Sequence, residues 1–154
     1  MKTEKEVTPS KKERNALAEQ NKTLVRRAVE EIWNRGNYDK VEEYVSPDFV
    51  VHAATPDKEV HGPEGAKQFF IQLRKAFPDI HFTIEDQIAE EDRVVTHWMA
   101  HGTHKGEFNG IPPTGRQVKV TAIDIDRIVN GKVVECWTNM DELGLLQQLG
   151  AIPV

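Results

Sequence analysis

The stretch Gly102-Thr-His-Lys-Gly-Glu-Phe-Asn-Gly-Ile-Pro-Pro-Thr-Gly115, continuing into Arg116-Gln-Val-Lys-Val-Thr-Ala-Ile-Asp-Ile-Asp-Arg-Ile-Val129, decides the fold. From Gln117 onward the residues alternate with the two-residue period of a strand. Val118, Val120, Ala122, Asp124, Asp126 and Ile128 form one face; Lys119, Thr121, Ile123, Ile125 and Arg127 form the other. Asn130-Gly131 is the strongest two-residue hairpin signal in the chain, and it joins this strand to a second over Lys132–Met140. Upstream, Ile80, Phe82 and Ile84 alternate with His81, Thr83 and Glu85; Glu91-Asp92 makes a turn, and residues 93–103 alternate again. Residues 80–141 therefore read as antiparallel strands. Carboxylates in mid-strand among Val, Ala and Ile cost several kcal/mol of desolvation unless they are paired or wet. Such a cost marks a lined cavity, so the chain is expected to enclose a small-molecule site.

The residues before this meander follow a helical period. Leu17, Asn21, Leu24, Val25, Ala28, Val29, Ile32 and Trp33 recur at three- and four-residue steps, with Gly36 as a stop. A short second helix carries Tyr38, Val41, Tyr44 and Val45 on one side and ends at Ser46-Pro47. A short strand over residues 49–52 precedes a third helix that starts at Gly62-Pro63 and closes at Pro78. Asp141 caps a last short helix, with Gly150 as its stop. Helices first and strands afterwards make the expected class α+β. The architecture is a cone-shaped barrel: three N-terminal helices packed in a curved, mainly antiparallel sheet, then a short C-terminal helix. One domain is expected over residues 15–154, after a charged, flexible tail over residues 1–14.

Composition narrows the function. The 154 residues carry a net charge of −5, against the clustered Lys and Arg that nucleic acid demands. The single cysteine, Cys136, excludes an intramolecular disulfide framework and a Cys-rich zinc site. No 18-residue apolar run spans a membrane. The first 20 residues hold five basic and four acidic side chains and no apolar signal core, so the expected location is the cytoplasm. A chain from which an export signal had been removed would look the same. Gly102, Gly106, Gly110 and Gly115 lack the spacing of a phosphate loop. His97 and His101 would chelate a metal on a helix, but on a strand they stand roughly 13 Å apart. Neither cofactor nor metal is expected.

The order of elements, with residues 102–116 and Asp124-Ile-Asp-Arg-Ile128, resembles the SnoaL-like polyketide cyclases of the nuclear-transport-factor-2-like superfamily. Glu31-Ile-Trp-Asn-Arg-Gly-Asn37, Ser46-Pro-Asp-Phe49, Gly62-Pro-Glu-Gly65 and Leu143-Gly-Leu-Leu-Gln-Gln-Leu-Gly150 carry the likeness further. The resemblance implies an α+β cone, ring closure of a polyketide by intramolecular aldol condensation without metal or organic cofactor, and a cavity-facing aspartate at Asp124. It also implies a homodimer. One departure stands out: relatives commonly carry Glu-His-Trp in the last strand where this chain has Glu135-Cys136-Trp137.

The residues themselves supply candidates. Small apolar neighbours of Asp124 would disfavour its ionised form and suit an acid–base role; the alternative is a structural carboxylate paired with Arg or accepting from Tyr or Trp. Asp126, nearer the hairpin, reads as a wetter rim residue. His104 shares parity with Trp98; it polarises a carbonyl oxygen, shares a proton with Asp124, or only bonds loop backbone. His52, Trp98, Phe108, Ile111, Trp33 and Trp137 are the candidate substrate-binding side chains. Residues 107–114, with Phe108, Ile111 and Pro112-Pro113, form a candidate flap. His61, His81, His97 and His101 read as surface residues. The first functional reading is a cofactor-independent cyclase or isomerase acting on a small hydrophobic carbonyl compound. A non-catalytic binder of a small apolar ligand and an assembly module are the others. Ile123 and Ile125 make the outer sheet face too apolar for water, which predicts a homodimer through it.

Overall fold

The computed structural model describes residues 7–52 and 58–154. Helix α1 (Lys11–Ala28) opens with a capping box in which the Ser10 hydroxyl accepts from the Glu13 amide and Glu13 reaches back to the Ser10 amide. It thus begins inside the 1–14 segment read as a tail, and Ser10-x-x-Glu13 was the signal for that start. The tail reading for residues 1–6, and the loop that follows His52, lie outside the described residues. Past Ala28 the helix widens into a π-helical segment, Val29–Asn34. Two Arg74 contacts, to the Trp33 and Asn34 carbonyls, satisfy its end.

A 3-10 turn leads into α2 (Val41–Tyr44), and strand β1 (Val45–His52) starts at once. Ser46-Pro47 therefore lies within a strand rather than before one. The β1 register with its neighbour shifts between Val45 and Val50, and proline is tolerated at such an irregularity. The two-residue strand β2 (Val60–His61) pairs with β1; α3 (Gly62–Ala76) carries Pro63 in its first turn. The meander follows as β3 (His81–Glu90), β4 (Arg93–Thr103), β5 (Gln117–Val129) and β6 (Lys132–Met140), then α4 (Glu142–Gln148).

The six strands form one sheet in the order β2-β1-β6-β5-β4-β3. Only the β1–β6 pair is parallel; every other pair is antiparallel. Each even-numbered residue of β5 from Val118 to Ile128 is buried, and the odd-numbered ones are exposed or half-buried. α1 lies against β3 and β4, α3 against β1 and β2, and α4 against β5, so the helices cover the buried face. The larger core gathers α1, its π-helical extension and β3 to β6 around Trp98, Phe82 and Val94. A smaller one joins Phe77 to Val118, Val120, Leu145 and Leu149.

Asn34 does the most with one side chain. Its amide oxygen accepts from the Phe82 amide at 2.8 Å and its nitrogen donates to the Phe82 carbonyl at 3.0 Å. β3 is an edge strand, and this pair of bonds stands in for a missing neighbour. It also fixes the helix end to the sheet. Gly106 is equally constrained: a Cβ there would meet the Lys75 carbonyl at 2.3 Å. That closeness lets the Lys105 and Gly106 amides donate to the Ala76 carbonyl, pinning the 104–116 loop to the end of α3.

Candidate active site

Register places the carboxylates. Asp124 pairs with Thr96 of β4 and Thr138 of β6; Asp126 pairs with Val94 and Cys136. Both face the helices, and both are buried, at 4% and 9% exposure. The wet rim position expected for Asp126 is thus overturned. Shared parity with Asp124 was the better guide than proximity to the hairpin, because the whole even-numbered face of β5 is buried as far as Ile128.

Asp124 is held by one strong bond. The Trp98 indole N–H donates to its Oδ2 at 2.8 Å, while Oδ1 is buried with no hydrogen-bond partner of good geometry. Burial pushes the carboxyl up to about 6, against the opposing pull of Thr138 and Trp98. Asp126 is pushed to about 7, first by burial, then by the charge of Asp124, with the Cys136 thiol pulling the other way. The thiol itself is raised well above its ordinary value by burial and by the two carboxylates. Gln87 of β3 completes the polar layer by donating to the Thr96 hydroxyl at 3.2 Å. Sequence reading treats Cys136 only as a lone cysteine and a departure from the family motif, and does not place Thr96, Thr138 or Gln87 in the site; strand register brings them to the carboxylates.

Trp98 joins this layer to an apolar cavity of about 60 Å³. Leu73 of α3, Phe77 just after it, Phe82, Val120, Leu145 of α4 and Phe108 of the loop supply its walls. Asp124 lies behind the indole rather than on the cavity surface. Trp33 packs edge-on against Trp98 and Phe82, at 5.7 and 4.9 Å between ring centres, and sits in the core behind the cavity. Ile111 meets Phe108 through a two-residue turn at Asn109-Gly110, with paired backbone bonds of 2.8 and 3.0 Å. Phe108 in turn meets Phe77 edge-on at 5.3 Å. Of the 107–114 segment, Phe108 is therefore packed on the cavity, and most of the rest is exposed. A wider groove of about 320 Å³ near Asp79, His101 and Lys119 is polar and shares neither Trp98 nor Asp124.

Besides Trp33 and Ile111, which are not in the cavity wall, three expected residues do not join the site. His104 is fully buried, but its backbone amide bonds to Arg116, which directly precedes β5 and is eight residues from Asp124. At strand spacing that is roughly 26 Å, too far for proton exchange. Its Nδ1 accepts the Thr114 amide at 3.2 Å, which places the proton of a neutral ring on Nε2, and Nε2 is buried without a partner. His104 anchors the loop, stacked at 5.3 Å on Phe77. Trp137 pairs with Ile125, and His52 with Trp137, so both stand on the outer face. Their parity is opposite to that of inward-facing Cys136. There His52 stacks on Trp137 at 5.4 Å and bonds Glu135 at 2.7 Å and Glu59 at 3.3 Å, while Arg127 holds Glu135 at 3.0 Å. These carboxylates raise the His52 imidazole, and His52 with Arg127 lowers Glu135. His97 and His101 are exposed on β4. Among the described residues, no three His, Cys, Asp or Glu side chains converge on a metal position, and no helix is long and apolar enough to cross a membrane.

The family model of the SnoaL-like polyketide cyclases matches residues 23–149, from α1 through α4. The chain belongs to that family. The nogalonic acid methyl ester cyclase of Streptomyces nogalater is 32% identical over 120 residues, 77% of this chain and 89% of that protein. A candidate SnoaL-like polyketide cyclase from Jannaschia sp. CCS1 superposes with a TM-score of 0.80 at 28% identity, covering 96% of this chain and 99% of its own. AclR, a hydroxylase candidate from Streptomyces galilaeus, gives a TM-score of 0.77 at 34% identity, covering 89% and 85%. Family membership fixes the α+β fold; the names these relatives carry, an ester cyclase and a hydroxylase candidate, differ in chemistry on it.

Proposed function

We propose that this SnoaL-family protein closes a ring in a polyketide ester by intramolecular aldol condensation, with Asp124 as the acid–base group. The observation that carries the reading is the buried Asp124 carboxyl, bonded to Trp98 and raised to about 6. Such a group is ionised at neutral pH, yet far more basic than a solvated aspartate. Its Oδ1, which has no hydrogen-bond partner of good geometry, takes a proton from the carbon next to a carbonyl. The resulting enolate carbon bonds to a ketone carbon of the same molecule. The new alkoxide oxygen then takes the proton from the Asp124 carboxyl, so the enzyme ends as it began and no electrons leave the substrate. The ester cyclase of Streptomyces nogalater, at 32% identity, supports this class of substrate.

Size adds a condition. A cavity of about 60 Å³ holds about two water molecules, whereas sites for drug-sized ligands run to roughly 300–1,000 Å³. The substrate therefore enters by displacing part of the wall. Phe108, on the loop held by His104 and Gly106, and Trp98, which screens Asp124, are the side chains that must yield. A second reading, a binder of small apolar molecules, draws support from the same closure, since the cavity presents carbon rather than acid to its contents.

Asp124→Asn decides between them, assayed on a panel of polyketide ester ketones. The amide keeps shape but cannot move a proton. Turnover should fall by about 10²–10⁴-fold with ligand affinity little changed. A variant that cyclises as fast as its parent removes Asp124 from the chemistry. A parent that binds but converts nothing on the panel favours the binder.

A further inference from the structure

Asp126 is the buried acid that the aldol sequence leaves unused. It stands two residues from Asp124 on the same face of β5, about 7 Å away at strand spacing. Both carboxyls are out of water. Among the described residues the strands beside them bring no cation: β4 faces them with Val94 and Thr96, and β6 with Cys136 and Thr138. α1, which covers β4, buries Asn21 and Val25, and its Lys22 is paired with Glu19 at 2.6 Å. Cys136, a thiol, is therefore the one other titratable side chain opposite them in the register. Two neighbouring buried carboxylates without a counter-cation resist ionising together.

Their hydrogen bonds are unequal. The indole N–H of Trp98 is a fixed donor to Asp124 and favours its anion. Asp126 has only the weaker thiol of Cys136. We propose that Asp126 is a positioning residue that stays protonated while Asp124 ionises, so that the pair carries one negative charge during turnover. The inference rests on the reading of Asp124 as the acid–base group and adds a second requirement to it. Asp126 touches no substrate. It acts through Asp124: if it ionised, a second buried charge would hold the Asp124 proton too tightly for return to the product alkoxide. Catalysis then needs Asp124 ionised and Asp126 neutral, and activity is bounded on both sides in pH. The direction of the coupling agrees, since the Asp124 charge raises the Asp126 carboxyl.

Side-chain carboxyl carbon titration by NMR, on the full chain without ligand, tests the pairing. Asp126 should lose its proton after Asp124, near pH 7, and the Asp124 carbon should report that second step. In Asp124→Asn the Asp126 midpoint should move to lower pH, because the charge that raised it is gone. Independent titration of the two groups, or an Asp126 already ionised at pH 5, overturns the pairing. The wild-type curve alone gives that answer if a variant fails to fold. On a converted polyketide ester ketone, kcat/KM of the parent should be bell-shaped, and Asp126→Asn should keep the acid limb near pH 6 and lose the alkaline one. A merely structural Asp126 would change the height of the bell and leave both limbs in place, which refutes the positioning role. If the parent converts nothing, the aldol reading has failed, and the titration still reports whether the two acids are coupled.

Discussion

The two faces of β5 are inverted in polarity. The covered face holds Asp124 and Asp126, while Ile123 is 49% exposed on the other side of the same strand. Ile125 and Trp137 lie beside it and Val95 lies across from Ile125. Folding alone would favour the reverse arrangement, with isoleucines inside and carboxylates in water. Each face therefore carries a cost that stability does not explain. The inner cost is matched by an acid raised toward neutrality beside a cavity; the outer one by an apolar surface suited to a second copy of the chain. The fold itself tolerates both because its remaining inner residues, Val118, Val120, Ala122 and Ile128, still form a dry core.

The inner cost is the larger and can be measured. The folded protein holds protons on Asp124 and Asp126 up to about pH 6 and about pH 7, where an unfolded chain releases them near 3.9. Between those limits the native state binds more protons, so stability must fall as pH rises. It is fully present below the unfolded value and lost by about pH 7. Asp126→Asn cannot ionise and escapes the loss. Urea unfolding should show the variant gaining on its parent between pH 4.5 and pH 8, by on the order of a few kcal/mol. A difference between variant and parent that is the same at both pH values would break the comparison, for it would mean that Asp126 is ionised throughout.

The sequence made one half of this inversion plain and obscured the other. Alternation over residues 117–129 and the Asn130-Gly131 turn settled β5, β6 and their faces, because strand parity is local. The helices were legible from apolar spacing, and Gly62-Pro63 marked the start of α3. What failed were judgements that needed register between strands. Asp126 reads as wet from its nearness to a turn, yet the burial of the even-numbered face runs on to Ile128. Trp137 and His52 are substrate-binding candidates from the sequence, the one by its aromatic ring and the other by its place at a strand end, although Cys136 and Trp137 cannot face the same way on a regular strand. His104 shares parity with Trp98 but sits at the other end of the sheet from Asp124. Parity names the face; it gives no distance along it.

The outer face supplies the next test. Ile123, Ile125 and Ile88, the last 65% exposed, are expected to pack on a second copy about a two-fold axis. In such an interface one substitution acts twice. Burial of each isoleucine contributes about 1.5–3 kcal/mol, so Ile123→Lys should weaken association by at least tenfold. Sedimentation at micromolar concentration should find the parent near twice 17.5 kDa and the variant near 17.5 kDa. A monomeric parent would dissociate the exposed isoleucines from any self-pairing role.

The smallest expected effect separates the faces most cleanly. Trp137 is a large aromatic in the strand that also carries Cys136, and by residue type it belongs in a substrate cavity. By register it lies outside, between the His52 ring and the Arg93 guanidinium, which stands 5.1 Å from its ring centre. Trp137→Leu removes that stacking and leaves Asp124, Trp98 and Phe108 untouched. Surface cation–π contacts contribute about 0.5–1 kcal/mol, so a modest drop in stability is expected. Affinity for a cavity ligand should stay within twofold of the parent, measured beside Trp98→Leu, which should lose both the cavity wall and the donor to Asp124. Equal losses of affinity in the two variants would place Trp137 in the ligand's path and reverse the assignment of faces. A loss confined to Trp98→Leu would instead tie ligand binding to the even-numbered face alone.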